Sequence, residues 1–435
     1  MAQLRRRSFF ILVGLLTAAL VGCGGEGGDT ASSGAANGGG AAAMTDLALG
    51  AVLPVSGPNA SVGKEMADAS QMAVDEWSTR FAEKGFDLRF YLQDDASDPK
   101  QAVSAAYAVT GDSAVFGLVA HYNSGCFLPA ANIYAQAGTM AISPATTNVE
   151  ITRKGLPQIA RVTPHDGVQG ELTAAFVKDH LGLTKIAVIH DKTQYGQGLA
   201  EVFRDHGGTL GLEIQSFDGV NVGDKDFKAL LTKIREAAPE AVYFGGLYDE
   251  AGFMVRQMRE LQMTATFISD DGSFGQDFFD VGGDATDGAV LSFPGTPLAE
   301  LDSAGEFMKA FEAKYERKVQ NYGPYAYDTA NILLSSAYKA IESGAKNASE
   351  LRPAVVTNAR AIEYSGALGT TKFDDSGDTL NQQYSFYKAE NKAWTYLGTA
   401  TRGEGIQTPK DPGESGEDAT AAPEAAPATT PEASE

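Results

Sequence analysis

An α/β fold of two similar lobes, each a parallel sheet with helices on both faces, is predicted by three observations. From Leu47 onward, short β-branched or aromatic runs alternate strictly with longer helical patterns, as in parallel sheets wound by helices. The series then restarts with a helix near Val168, so two units of one kind follow each other. The stretch carrying the pattern, residues 45–401, is long enough for two hydrophobic cores.

Residues 1–22 have the layout of a secretory signal peptide: Arg5, Arg6 and Arg7, an apolar run from Phe9 to Leu20, and the small residue Gly22. The run is shorter than the ~20 apolar residues that a membrane-crossing helix needs. Leu20-Val21-Gly22-Cys23 resembles a bacterial lipobox, which implies lipidation of Cys23 and a palmitate-type acyl anchor. Residues 23–44 are otherwise mostly Gly, Ala and Ser, the composition of a flexible linker. At the other end, residues 402–435 are acidic and rich in Pro and Ala, which predicts a disordered tail.

Between these ends the elements follow in order. Leu47–Val55, Leu88–Leu92, Ala114–Ala120 and Met140–Ser143 read as buried strands. Lys64–Phe81, Lys100–Thr110 and Leu128–Gln136 repeat apolar residues at helical spacing. The second series has strands Lys185–His190, Leu212–Phe217, Ala241–Gly245, Ala265–Ser269 and Ala289–Phe293. Its helices are Val168–His180, Gly196–His206, Asp224–Ala237, Glu250–Leu261 and Asp302–Lys318. Two further helices, Tyr325–Ile341 and Leu351–Ala359, are shared out between lobes already begun, and strand Gln383–Lys388 joins the second lobe.

Net charge is −22 with Lys and Arg scattered, which argues against nucleic acid and anionic headgroups as partners. Of two cysteines, lipidation of Cys23 leaves Cys126 alone as a buried, inert thiol, so no disulfide forms within the body. The five histidines stand singly, and no metal site or cofactor is expected.

Open parallel sheets bind ligands beyond the carboxyl ends of their strands. There the chain carries His121-Tyr122-Asn123-Ser124, Pro144-Ala145-Thr146-Thr147, Asp191 to Gly196, Leu247-Tyr248-Asp249 and Asp270-Asp271-Gly272. Hydroxyls, tyrosines and carboxylates collect, with Lys192 the one basic residue among them. The set suits a small zwitterion with an uncharged side group, through charge-assisted hydrogen bonds. The same residue types are also ordinary turn formers.

VLPVSGPNASVG (52–63), DDASDPKQAV (94–103), SPATT (143–147), IHDKTQYGQGLAEVF (189–203), VGDKDFKALLTKI (222–234) and VYFGGLYDEAG (242–252) together resemble the leucine/isoleucine/valine-binding protein family, the type I periplasmic solute-binding proteins of ABC amino-acid importers. The resemblance implies two Rossmann-like lobes joined by three hinge crossings, near Thr163, Pro294 and Thr379. Lobe 1 would comprise residues 45–163 and 295–379, and lobe 2 residues 164–294 and 380–401. It further implies that Ser124 and Thr147 hold an α-carboxylate, that the Ala145 carbonyl accepts from the ammonium, and that Tyr195 and Asp271 close on that ammonium from the other lobe. Tyr122 and Tyr322 fall on the side-chain pocket, with Ser61 nearby. Three departures stand out: the family's disulfide positions are Ser97 and Asn123, Leu247 and then Tyr248 follow the Gly pair where many relatives place a tyrosine, and Asp271 is often a glutamate.

What the resemblance implies is an extracytoplasmic, membrane-anchored, monomeric lipoprotein that captures a neutral, branched-chain or other aliphatic amino acid by cleft closure and delivers it to an ABC permease. The same residues also fit a ligand-sensing receptor module for amides or other small solutes. A tethered hydrolase is the third alternative; with no G-x-S-x-G, H-E-x-x-H or P-loop lysine motif in the chain, it is expected not to be an enzyme.

Overall fold

The computed structural model describes residues 44–320 and 322–408. The signal, Cys23 and linker up to residue 43 lie outside the described residues, as does the tail from residue 409.

The first sheet is wholly parallel. Its strands are β1 (Thr45–Leu53), β2 (Phe86–Asp94), β3 (Val115–Ala120), β4 (Met140–Ser143) and β5 (Ile159–Arg161), ordered β2-β1-β3-β4-β5. Helices α1 (Ala60–Glu83), α2 (Pro99–Gly111), α3 (Ser124–Gln136) and the single turn α4 (Glu150–Arg153) make the crossovers. β1, β3 and β4 are buried almost throughout, as strands covered on both faces must be.

The second series follows. It contains α5 (Asp166–Ala175, ending in a π turn at 176–180), β6 (Lys185–His190), α6 (Gly196–Leu210), β7 (Glu213–Gly219), α7 (Lys228–Glu236), β8 (Ala241–Gly245), α8 (Tyr248–Glu260), β9 (Thr266–Ser269), α9 (Gln276–Gly282) and β10 (Val290–Pro294). The chain then returns to the first sheet. α10 (Asp302–Tyr315), α11 (Gly323–Glu342) and α12 (Ala348–Arg360) join a core shared with α1, β1 and β3. A small hairpin, β11 (Tyr364–Gly366) and β12 (Gly369–Thr371), precedes the third crossing. β13 (Gln383–Glu390), β14 (Ala393–Thr401) and β15 (Gly405–Gln407) complete the second sheet in the order β15-β14-β13-β10-β9-β8-β6-β7. The sheet is thus parallel from β7 to β10 and antiparallel from β10 to β15.

Two differences from the sequence expectations have physical reasons. Residues 402–408, assigned to the tail, make a turn into β15 because β14 offers them a free edge. α3 starts at Ser124 and not at Leu128, since Pro129 lies in its second turn and does not interrupt the helix. The helix forgoes the one backbone hydrogen bond that residue 129 would make and continues.

One contact between backbones fixes where the second sheet presents its loops. A Cβ on Gly245 would lie 2.4 Å from the Gly196 carbonyl oxygen, and one on Gly196 would lie 2.3 Å from that of Gly245. The end of β8 and the start of α6 therefore touch directly. Gly245→Ala is expected to cost about 1–3 kcal/mol through overpacking, read as a lowered thermal midpoint.

Candidate functional site

The carboxyl ends of both sets of parallel strands face one cleft. From the first sheet come Tyr122 and Ser124 after β3, and Ala145 and Thr147 after β4. Ser124, Ala145 and Thr147 are buried, and the Ser124 hydroxyl accepts the Asn148 N–H at 3.3 Å. Asp166 donates its own N–H to the Thr147 carbonyl at 2.8 Å, which holds the start of α5 against this loop. Beneath the loop lies Arg161, fully buried at the end of β5. Its guanidinium donates to Asn148 O (2.8 Å), Thr152 Oγ1 (2.8 Å) and Asp378 Oδ1 (2.5 Å). Arg161 was not singled out from sequence. A lone cation in the short apolar run Ile159–Val162 was the available signal.

From the second sheet come Tyr195 and the Asp270-Asp271 pair. The Tyr195 hydroxyl lies 2.7 Å from Asp270 Oδ1 and 2.9 Å from Asp271 Oδ1, and accepts the Gly272 N–H at 3.0 Å. Residue 272 has to be glycine, because a Cβ there would meet Gly246 O at 2.5 Å, Leu247 Cδ2 at 2.9 Å and the Tyr195 ring at 3.0 Å.

The two sets meet. Tyr322, which precedes α11, donates its hydroxyl to Asp271 Oδ2 at 2.6 Å across the cleft, and its ring packs edge-on to Tyr122 at 5.9 Å. Two more bonds cross at the rim: Tyr248 O–H to Pro58 O, and Asn148 Nδ2 to Gln194 O, both 2.5 Å. The cleft is therefore shut. A pocket of about 750 Å³, open to solvent on one side, remains beside it, lined by Ser124, Tyr195 and Leu247 with Pro99, Leu128 and Val222. Asp271, Tyr322 and Thr147 lie outside its lining. Ser61, exposed on the first turn of α1, stands beside Asp277 at the rim and makes no hydrogen bond to the other candidate residues.

Electrostatics set this centre apart. Asp166, Asp270 and Asp271 are 1%, 0% and 5% exposed. Arg161, the nearby cation, is engaged by Asp378. Burial first, and then the Asp271 charge, push the Asp166 carboxyl up to about 8, against the Thr147 hydroxyl and Arg161. Both Asp166 oxygens and the Thr147 hydroxyl nevertheless lack a hydrogen-bond partner among the described residues. Burial also raises Asp271, against the hydroxyls of Tyr322 and Tyr195.

A carboxyl raised on folding binds more protons in the native than in the unfolded chain, so stability falls as pH rises toward the native value. His165 and His190 are shifted downward by burial, His165 to about 4, and affect only the range below about 6.5. The ligand-free thermal midpoint is therefore expected to fall between pH 6.5 and 8, and Asp166→Asn to reduce that fall in a melting series, the remainder coming from buried Asp328, which burial pushes up to about 7.

Other residues have structural roles. His121 bonds Asp95 and the Tyr134 hydroxyl, both at 2.7 Å, and is fully buried. Cys126 is buried, and burial holds its thiol far above the usual range. Asn59 links the positions where the resemblance places a disulfide, accepting from Ser97 Oγ at 2.7 Å and Asn123 Nδ2 at 3.3 Å. Among the described residues no cluster of His, Cys, Asp and Glu could hold a metal, and no helix is long and apolar enough to cross a membrane.

Comparison with known proteins agrees with this architecture. A family model described as "Periplasmic binding protein" matches residues 46–393. The "Leu/Ile/Val-binding protein homolog 1" of Brucella abortus is 36% identical over 356 residues, 81% of this chain and 92% of that protein. An "Amino acid binding protein" of Pseudomonas aeruginosa is 33% identical over 353 residues, 80% of this chain and 92% of that protein. Among solved structures, the branched-chain amino acid transporter substrate binding protein LivJ of Streptococcus pneumoniae, in complex with isoleucine, superimposes with a TM-score of 0.72 at 25% identity, over 84% of this chain and 100% of that one. The leucine binding protein LivK of Thermotoga maritima gives 0.75 at 24% identity, over 82% and 99%, a likeness of fold.

Proposed function

The chain belongs to the periplasmic binding protein family, and from that premise we propose that it captures a neutral, aliphatic amino acid between its lobes and delivers it to an ABC permease. One observation carries the reading. Asp271, buried beside the carboxyls of Asp166 and Asp270, has no free cation to meet it, because the nearby guanidinium is already paired. A ligand ammonium completes that centre. Buried charges are tolerated when paired and hydrogen-bonded.

In this reading Asp271 and the Ala145 carbonyl accept from the ammonium, and Tyr195 holds Asp271 in place. The α-carboxylate takes the hydroxyls of Ser124 and Thr147, at the first turn of α3, where a helix terminus favours negative charge. The side chain lies against Tyr122, Leu247 and Tyr248, beside the ring of Tyr322. Ligand touches both lobes only when the cleft is shut, so it binds the closed state better and shifts the population toward it. No bond is broken in this cycle. The protein acts as a monomer, held at the membrane by lipid on Cys23, with residues 24–44 as its tether.

Thermal-shift and calorimetric screening of the purified body against the amino acids tests the reading. Leucine, isoleucine or valine should raise the midpoint and bind with one site per chain. Failure of these, of alanine and of threonine, with tight binding of an amide or urea, would overturn the amino-acid assignment.

A further inference from the structure

The oxygen of Tyr195 faces more acceptors than it has protons. One O–H stands 2.7 Å from Asp270 Oδ1 and 2.9 Å from Asp271 Oδ1, and can donate to only one of them. Two ionised carboxylates there would leave one oxygen pair in bare repulsion inside a buried site. A proton must therefore sit on one of the two.

The hydrogen bonds decide which. Asp271 receives a second phenol hydroxyl, from Tyr322 at 2.6 Å, and hydrogen bonds to the charged form favour it. Asp270 has the Gly272 N–H at 3.2 Å as its other donor, and its Oδ2 has no partner among the described residues. Around it stand Asp271 next in sequence, Tyr195 before α6, Asp191 after β6, Asp166 at the start of α5 and Tyr243 on β8. None of these is a cation. Burial, and after it the Asp271 charge, hold the Asp270 carboxyl well above the ordinary range.

We infer that Asp270 is a positioning residue: it carries a proton, donates it to the Tyr195 oxygen, and so frees the Tyr195 O–H to bond an ionised Asp271. The phenol oxygen then accepts from Asp270 and Gly272 and donates to Asp271. Asp271 keeps its charge for a ligand cation, and the site keeps one negative charge on the pair instead of two. The inference rests on the amino-acid reading for its consequence in binding, but not for the proton itself.

The test therefore has two arms. Without ligand, infrared difference spectra at pH 7 should show loss of a protonated-carboxyl band in Asp270→Asn and no such loss in Asp271→Asn. The reverse assignment, or no band lost in either, overturns the inference whatever the ligand proves to be. With the amino acid that binds best, Asp270→Asn supplies an N–H in place of the O–H and should bind within about threefold of wild type. Asp270→Leu removes the donor and should lose about tenfold. In a Tyr195→Phe background, which has no phenol to orient, Asp270→Leu should cost nothing further. Equal losses in both backgrounds would make Asp270 merely structural and refute the relay. Absence of amino-acid binding by wild type would overturn the functional reading alone, the infrared arm still deciding the proton.

Discussion

Replacing Asp271 with alanine is expected to weaken amino-acid binding by about a hundredfold or more, because removing one partner of a buried charge pair costs 2–5 kcal/mol or above. The variant should melt no lower than wild type without ligand. Asp271 is a buried charge with no free cation beside it in the ligand-free site, and burial already raises its carboxyl, so its removal spares the cost of burying that charge. Loss of affinity without loss of stability is the signature of a contact to ligand. The corresponding carboxylic acid without an amine should bind to the variant and to wild type alike. Isothermal titration paired with melting curves checks both halves.

Arg161→Met should destabilise the fold by about 3–5 kcal/mol, the range for breaking a buried ion pair by removing one partner. Methionine matches much of the arginine stem but donates nothing. Asp378 loses its cation at 2.5 Å and keeps the Thr152 hydroxyl at 2.9 Å, and the carbonyl of Asn148 and the hydroxyl of Thr152 lose their donors. The carbonyls of the Thr146–Asn148 loop then point into a site with no N–H to meet them, and an unpaired buried acceptor costs further. Since Thr147 belongs to that loop, affinity should fall along with the melting temperature. Denaturant titration and calorimetry separate this pattern from that of Asp271→Ala, where affinity alone drops.

Much of the architecture was legible because strands buried on both faces read as continuous apolar runs, as in AVFGLVA and KIAVIH, while the helices between them keep their spacing. β14 escaped notice because Ala393–Thr401 mixes Trp, Thr, Gly and Ala with no clean alternation, its neighbours in the sheet being supplied by β13 and β15. Within the candidate site, the end-of-strand rule pointed to Ser124, Thr147, Tyr195 and Asp271, since each follows a strand by a few residues. Asp270 lay in the same loop and was named with it, but the resemblance implied no role for it. Only its 2.7 Å approach to the Tyr195 oxygen gives it another part. Tyr322 was placed on a side-chain pocket through the resemblance. Its hydroxyl bond to Asp271 joins residues 51 positions apart in the chain, which no local pattern encodes.

The central claim is that the buried Asp271 carboxylate awaits an ammonium on a ligand whose carboxylate meets Ser124 and Thr147. Calorimetric titration of the wild-type body with L-leucine, its deaminated acid and its carboxamide tests this most directly. The account predicts tight binding of the amino acid and losses of about a hundredfold or more for each analogue, one lacking the cation and the other the anion. Equal binding of the deaminated acid, or preference for the carboxamide, would contradict it.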